Sequence, residues 1–310
     1  MTTFNDPPTP TWKATFSIVA VDPSTGQVGV AVQSKYFAVG TVVRAGVGAV
    51  ATQALGVARY GPVILDALEK GVHPRQALKT ALADDPLVEQ RQLGVIHADG
   101  EAANHTGAEC MDWAGGRTGE NFSVQGNILT GKEVIDAMAS AFLDTSGSLA
   151  ERLITSLEAG QAAGGDSRGQ QSAAILVDQV GHGENSMEGV DRLVDLRVDD
   201  HPTPIAELRR LFELWQHQDM IEKGMTHYNK GDFAAAVDVM AKANNQFPGS
   251  ANILYNLACF ESLSGSAAES IAHLHQTIDL DDSFRELAKK DSDFDPVREM
   301  DDFKELISAQ

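Results

Sequence analysis

The chain has 310 residues, 43% of them apolar, and a formal net charge of −20. That length suits two packed domains, and so acidic a surface excludes nucleic acid and anionic membrane as partners. Two cysteines far apart in sequence, no apolar run of roughly 18 residues and no basic or apolar N-terminal segment argue against a disulfide framework, a membrane span and a signal peptide, so the cytoplasm is the expected compartment.

Pro7, Pro8 and Pro10 mark residues 1–14 as a flexible leader. Thr15–Asp22 alternates as a strand and joins Gln27–Ser34 through a turn containing Gly26, so the two read as a hairpin. Val42–Ala45 and Val47–Gln53 continue the β pattern, with glycines that allow close backbone approach. The period then changes. Residues 60–70 and 74–83 space their apolar side chains by three and four, which predicts two helices, the first stopped by Gly71 and the second opened by Pro74.

A second β block starts near Arg91. Gln92–His97 and Glu101–Thr106 flank the turn Ala98-Asp99-Gly100, and Phe122–Gly126 is a further short strand. Residues 132–143 and 148–162 are helical patterns, and Ser172–Val177 and Leu193–Val198 return to strand. Strands, two helices, strands, two helices, strands: hairpins dominate over single βαβ crossovers. The expected fold is therefore α+β, a four-layer αββα sandwich over residues 15–202, with two mostly antiparallel sheets face to face and helix pairs outside. A doubly wound parallel sheet fits worse.

Residues 203–310 read as all-helical. Gly231 and Gly265 stand 34 residues apart in similar surroundings, and small residues recur at Gly224 and Ala258 and at Ala236 and Ser270. A 34-residue helix–turn–helix period is the tetratricopeptide signature. Two repeats are too few to stand alone, so a last helix around Val297–Ile307, or the first domain, must cap them.

Four short segments interrupt the regular pattern. Thr15 opens a strand, where threonine is ordinary unless it becomes the first residue of the chain. Its α-amine, which titrates near 7.7–8.0 when unperturbed, could then act as base for its own hydroxyl. Gln33-Ser34-Lys35 ends the partner strand, and a lysine there would favour the neutral amine; otherwise Lys35 is a surface residue. Val124-Gln125-Gly126-Asn127 offers amides and backbone N–H groups for an oxyanion hole, or merely a turn. In Gly164–Ser172, Asp166 could orient an amine and Arg168 grip a carboxylate, or the two could form a loop salt bridge. The histidines and cysteines make no metal-ligand spacing, and neither a phosphate-binding loop nor Gly-x-Ser-x-Gly occurs. No metal or cofactor is expected.

Together, Thr15–Asp22, Gly29–Gly40, Ala45–Ala54, Arg91–Val95, His105–Gly107, Val124–Asn127 and Gly164–Ala173 resemble one bacterial family. It is the domain of unknown function 1028 family (DUF1028), which has the fold of the N-terminal nucleophile (Ntn) hydrolases. The resemblance spans about residues 14–200, and the helical tail is similar to the extension carried by some members. It implies the αββα sandwich, Thr15 as nucleophile, Lys35 and Asp166 as groups that tune its amine, and Asn127 as an oxyanion donor. Ser34, Gln53, His105, Gln125, Arg168 and Gln171 are the candidate substrate contacts. In this family the threonine commonly follows the initiator methionine, whereas here a 14-residue leader precedes Thr15: either the bond between Ala14 and Thr15 is cut, by the protein itself or a protease, or translation starts downstream of Met1 at a non-Met codon, or Thr15 has no free amine.

The expected function is hydrolysis of a small amide or peptide-like substrate. The amine takes the hydroxyl proton, the oxygen attacks the amide carbonyl, and water releases the acyl group. A homodimer is expected, since such sandwiches commonly pair. The alternative is a catalytically silent sandwich whose helical repeats bind a protein or peptide partner.

Overall fold

The computed structural model describes residues 15–45, 47–179, 181 and 190–308. The leader expected over residues 1–14 lies outside the described residues. The chain divides into two compact units, Met1–Leu211 and Phe212–Gln310. Among the described residues no helix is long and apolar enough to cross a membrane.

The first unit is mixed α+β. Strands β1 (Thr15–Asp22) and β2 (Gln27–Ser34) form the expected hairpin. Its turn is fixed locally: Asp22 Oδ1 accepts from Ser24 N at 3.0 Å, and Gly26 takes φ 71°, which a β-carbon would resist. A 3-10 turn, Val39–Val42, replaces the start of the expected next strand, leaving β3 as Val43–Ala45 before β4 (Gly48–Ala54). Helices α1 (Tyr60–Glu69) and α2 (Pro74–Leu82) lead to β5 (Arg91–His97) and β6 (Ala102–Thr106). Strand β7 (Gly115–Gly119) has no counterpart in the sequence pattern. Then come β8 (Phe122–Asn127), α3 (Glu133–Asp144), α4 (Leu149–Ala162), β9 (Ser172–Gln179) and β10 (Arg192–Val198). Helix α4 opens on an N-cap: the Ser148 hydroxyl accepts from the N–H of Glu151 at 3.2 Å.

The strands make a six-stranded sheet, β10-β9-β2-β1-β8-β7, and a four-stranded sheet, β3-β4-β5-β6, and every described pairing is antiparallel. Side chains alternate between faces. Val19, Val21, Val28, Val30 and Val32 of the larger sheet pack with Ala49, Ala51 and Ile96 of the smaller, so these inner faces share one core. On the opposite face of the small sheet, Val50, Leu93 and Val95 pack with Ile64, Leu68, Leu78 and Leu82 of α1 and α2. On the opposite face of the large sheet, Phe122 meets Phe142 of α3 at a 5.3 Å ring separation, and Phe16 approaches Gly160 of α4.

Helix α5 (Pro204–Asn229) begins in the first unit, where Arg209 pairs with Glu151 and Glu158 of α4 at 2.7 and 2.8 Å. The second unit is helical: the rest of α5, α6 (Phe233–Gln246), α7 (Ala251–Ser264), α8 (Ala267–Leu280), α9 (Ser283–Ala288) and α10 (Asp301–Ser308). Gly265 ends α7 with φ 90°, a left-handed C-terminal stop. The small residues named above lie at helix contacts: a β-carbon on Gly224 would stand 2.7 Å from Met240 Sδ, and Ala236, Ala258 and Ser270 are fully buried. Phe294, Val297 and Phe303 from the C-terminal segment join the same core.

Candidate active site at the polar end of the inter-sheet layer

The inner face of β1 changes character along its length. Val19 and Val21 enter the apolar core, while Thr15 and Ser17, on the same face, open a polar patch. Thr15 pairs with Ser34 on one side and Asn127 on the other, and Ser34 pairs onward with Ser172. Asn127, Thr15, Ser34 and Ser172 thus form a row across four strands at one end of the sheet, all fully buried. Thr15 Oγ1 donates to Ser34 Oγ at 3.1 Å. Ser172 Oγ donates to Tyr36 O and accepts from Val39 N, tying down the loop after β2.

The facing sheet supplies Gln53 and Gln92. Carbonyl oxygens only accept, so they fix which end of each neighbouring amide is the NH2. Gln53 Nε2 donates toward Thr15 O (3.3 Å) and Gln125 O (3.2 Å), which leaves its Oε1 to accept from Ser17 Oγ at 2.7 Å. Gln92 Nε2 faces Gly126 O (2.8 Å) and Gly115 O (3.2 Å). Its Oε1 accepts from Gln53 Nε2 (2.8 Å) and Asn127 Nδ2 (2.9 Å). Gln125 Nε2 faces Ser17 O (3.2 Å), and its Oε1 accepts from Ser123 Oγ (2.9 Å). Gly94 lets Gln125 cross the gap: a β-carbon there would stand 2.0 Å from Gln125 Oε1. The network orients every one of these amides and leaves one atom over. Asn127 Oδ1 is buried with no hydrogen-bond partner among the described residues.

The acidic loop follows α4. Gly164 and Gly165, with φ 120° and 59°, end the helix, and Asp166 bridges to Leu129 beside β8. Its buried carboxylate accepts from Lys35 N (3.1 Å) and Arg168 N (2.9 Å) and pairs with the Arg168 guanidinium (3.4 Å). The loop salt bridge is therefore present.

Of the expected site residues, the structure brings together Thr15, Ser34, Gln53, Gln125 and Asn127, with Asp166 one residue away through Lys35. Four of the expected residues make contacts other than those their expected roles imply. Asn127, expected as an oxyanion donor, gives one N–H of its NH2 to Gln92 Oε1 and in addition presents Oδ1 as a buried acceptor. Lys35 contributes its backbone N–H, while its ammonium is turned to Gln170 O at 3.1 Å. The Gln171 side chain reaches Asp200 (3.0 Å), and only its backbone N touches the row, at Ser34 O (3.1 Å). His105 pairs with Leu93, whose side chain packs among α1 and α2, and it bonds Val88 O at 3.0 Å; it thus sits on the face of β5–β6 opposite Gln92.

Sequence reasoning missed Gln92, Ser17 and Ser172. A signal was there: each is a polar residue at an inward position of an otherwise apolar strand. Gln33 is another, on the helix-facing side of β2, buried with neither amide atom partnered among the described residues.

Two further clusters lie elsewhere. Buried Asp85 bonds Arg91 Nε (2.8 Å) and the Tyr60 hydroxyl. The Arg91 hydrogen bond holds its carboxyl well below the usual range against the opposing effect of burial. In the helical unit, Cys259 Sγ and carboxylate oxygens of Asp291 and Asp293 lie within 4.8 Å of one another. Both carboxylates already accept tyrosine hydroxyls, Asp291 from Tyr255 (2.7 Å) and Asp293 from Tyr228 (2.8 Å). That bond, with burial, pushes Tyr228 up to about 12. Burial, reinforced by the two carboxylates, pushes the Cys259 thiol up as well, so this cluster reads as a clasp that holds the C-terminal segment.

The profile of the family of unknown function DUF1028 matches residues 15–208, well over half of the chain. No curated protein matches it. The crystal structure of a Silicibacter pomeroyi protein of the same family superposes with a TM-score of 0.58 at 34% identity, covering 64% of this chain and 88% of that one.

Proposed function

Since the chain belongs to the DUF1028 family, we propose that it is an N-terminal-nucleophile amidohydrolase whose two sheets and two helix pairs are the αββα sandwich of that class. The carrying observation is the place of Thr15. It is the first residue of a strand flanked on both sides, its hydroxyl already hydrogen-bonded to Ser34, at a polar end of an apolar inter-sheet layer. A polar row that deep has no packing rationale, because burying it costs more than a valine would.

Cutting the bond between Ala14 and Thr15 makes the α-amine that the mechanism needs. The neutral amine takes the proton from Oγ1, and Oγ1 bonds to the substrate carbonyl carbon. The tetrahedral intermediate expels the amine leaving group with that proton, and water then cleaves the Thr15 ester. Ser34 orients Oγ1, while Gln53, Gln92 and Gln125 are fixed, uncharged dipoles that need no reorganisation during reaction. The site's hydroxyls and amides carry no charge, which suits a neutral amide.

The test is acylation of Thr15. A β-lactone acylating probe should add its mass to the peptide beginning at Thr15 and leave Thr15→Ala unlabelled. Equal labelling of that variant would overturn the mechanism. A second reading, a binding module, draws on the helical unit, where Ile271, His275, Met300 and Leu306 line a groove between α8 and α10. We read that unit as a tetratricopeptide-like pair capped by α10.

A further inference from the structure

The unpartnered Asn127 Oδ1 is the atom in the site that no contact explains. The orientation of Asn127 is not arbitrary. Gln92 is fixed by two backbone carbonyls, so its Oε1 must receive a donor, and Asn127 Nδ2 supplies it at 2.9 Å. Turning the Asn127 amide over would set two carbonyl oxygens against each other. Oδ1 is therefore held as a bare acceptor at full burial, which native structures rarely tolerate.

The missing donor is indicated by the ladder. Val21 N donates to Asn121 O at 3.0 Å, and that pair continues the register Thr15↔Asn127. Bonded and non-bonded pairs alternate along an antiparallel ladder, so Thr15, six residues before Val21, also aims its nitrogen at β8. The Thr15 nitrogen and the Asn127 side chain thus share one edge of the site. A peptide nitrogen carries one hydrogen, which the ladder uses. An ammonium carries three.

We infer that Asn127 Oδ1 is the acceptor for the α-ammonium created when the bond before Thr15 is cut, making Asn127 the residue that positions the amine. With one N–H on the ladder and one on Oδ1, the remaining position, the lone pair of the neutral amine, is left for the Thr15 hydroxyl proton. This rests on the reading of Thr15 as an N-terminal nucleophile, and it gives Asn127 an acceptor role beside the donor role that sequence motifs suggest.

The experiment titrates that amine without needing a substrate. A chain whose initiator methionine directly precedes Thr15, and is removed by the host, carries the amine however the natural cut is made. The rate of N-terminal carbamylation by cyanate against pH, read by mass, gives its pKa, with circular dichroism to check folding. Asn127→Ala should lower this pKa by about half to one unit, and the near-isosteric Asn127→Asp should raise it by about one unit or more, because hydrogen bonds and opposite charge favour the charged form. Gln92 keeps Gln53 as a donor in both variants, but the aspartate oxygen that replaces Nδ2 faces Gln92 Oε1, so the alanine is the milder change. Whichever variant folds decides. An amine pKa unmoved in a folded variant overturns the inference. An amine that responds to Asn127 while the lactone probe leaves Thr15 unmodified would keep the inference and sink the nucleophile reading.

Discussion

Gln92 and Gln33 are both fully buried glutamines on inner strands, yet replacing each by methionine should have opposite effects. Gln92 links the two sheets: it donates to Gly126 O and Gly115 O of the large sheet and accepts from Gln53 and Asn127. Each neutral hydrogen bond contributes about 0.5–1.5 kcal/mol net, and an orphaned partner such as Asn127 Nδ2 costs about 1–3 kcal/mol. Methionine nearly conserves volume, so the packing cost stays below about 1.5 kcal/mol. Gln92→Met should therefore lose about 3–5 kcal/mol, which at roughly 2–4 °C per kcal/mol for a unit of this size means a fall in Tm on the order of 10 °C. Gln33 has neither amide atom partnered among the described residues. Gln33→Met should be neutral or gain up to about 1–3 kcal/mol, because it removes a desolvated amide that makes no bond. Urea unfolding followed by circular dichroism, with the slope checked for constancy, measures both. A Gln33→Met loss as large as that of Gln92→Met would refute the assignment of which amides are satisfied.

Gly94→Ala should destabilise by about 1–3 kcal/mol through overpacking, since its β-carbon would collide with Gln125 Oε1 and displace an amide held at both ends; an unchanged urea midpoint would count against that close approach. Asp85 has a depressed carboxyl pKa in the fold, so its stabilisation is present above the unfolded value of about 3.9 and is lost as pH falls below it. Asp85→Asn, which leaves buried Arg91 without its counter-charge, should cost about 3–5 kcal/mol at pH 7, and the gap to the unaltered chain should narrow between about pH 5 and pH 2. A gap that is constant over that range would show that the carboxylate's charge is not what stabilises the fold.

Much of the architecture was legible because apolar alternation and caps are local. The hairpin β1–β2, helices α1 to α4 and the helical tail all announce themselves by period and by punctuating glycine and proline. Strand β7 did not. Gly115–Gly119 has no β-branched pattern, and its glycines leave room for larger neighbours, Gly115 for Trp113 and Gly119 for Phe122. The start of the next strand shifts by one residue: Val42 reads as its first position but closes the 3-10 turn Val39–Val42, and Ser172 bonds the backbone of Tyr36 and Val39 where that turn begins. In the site, Thr15, Gln125 and Asn127 lay in segments that interrupt the regular strand pattern, whereas Gln53 came only from the family resemblance. Their roles were not legible, because an amide's donor and acceptor ends are set by carbonyls on other strands, as Asn127 demonstrates. His105 illustrates the parity problem: one position along β6 separates a residue that faces the site, Thr106, from one that faces the helices.

The most direct test of the account is the intact mass and N-terminal sequence of the protein purified from its own host. The account predicts a chain that begins at Thr15. A protein that still carries residues 1–14 would contradict it, because Thr15 would then have an amide nitrogen and no base for its hydroxyl.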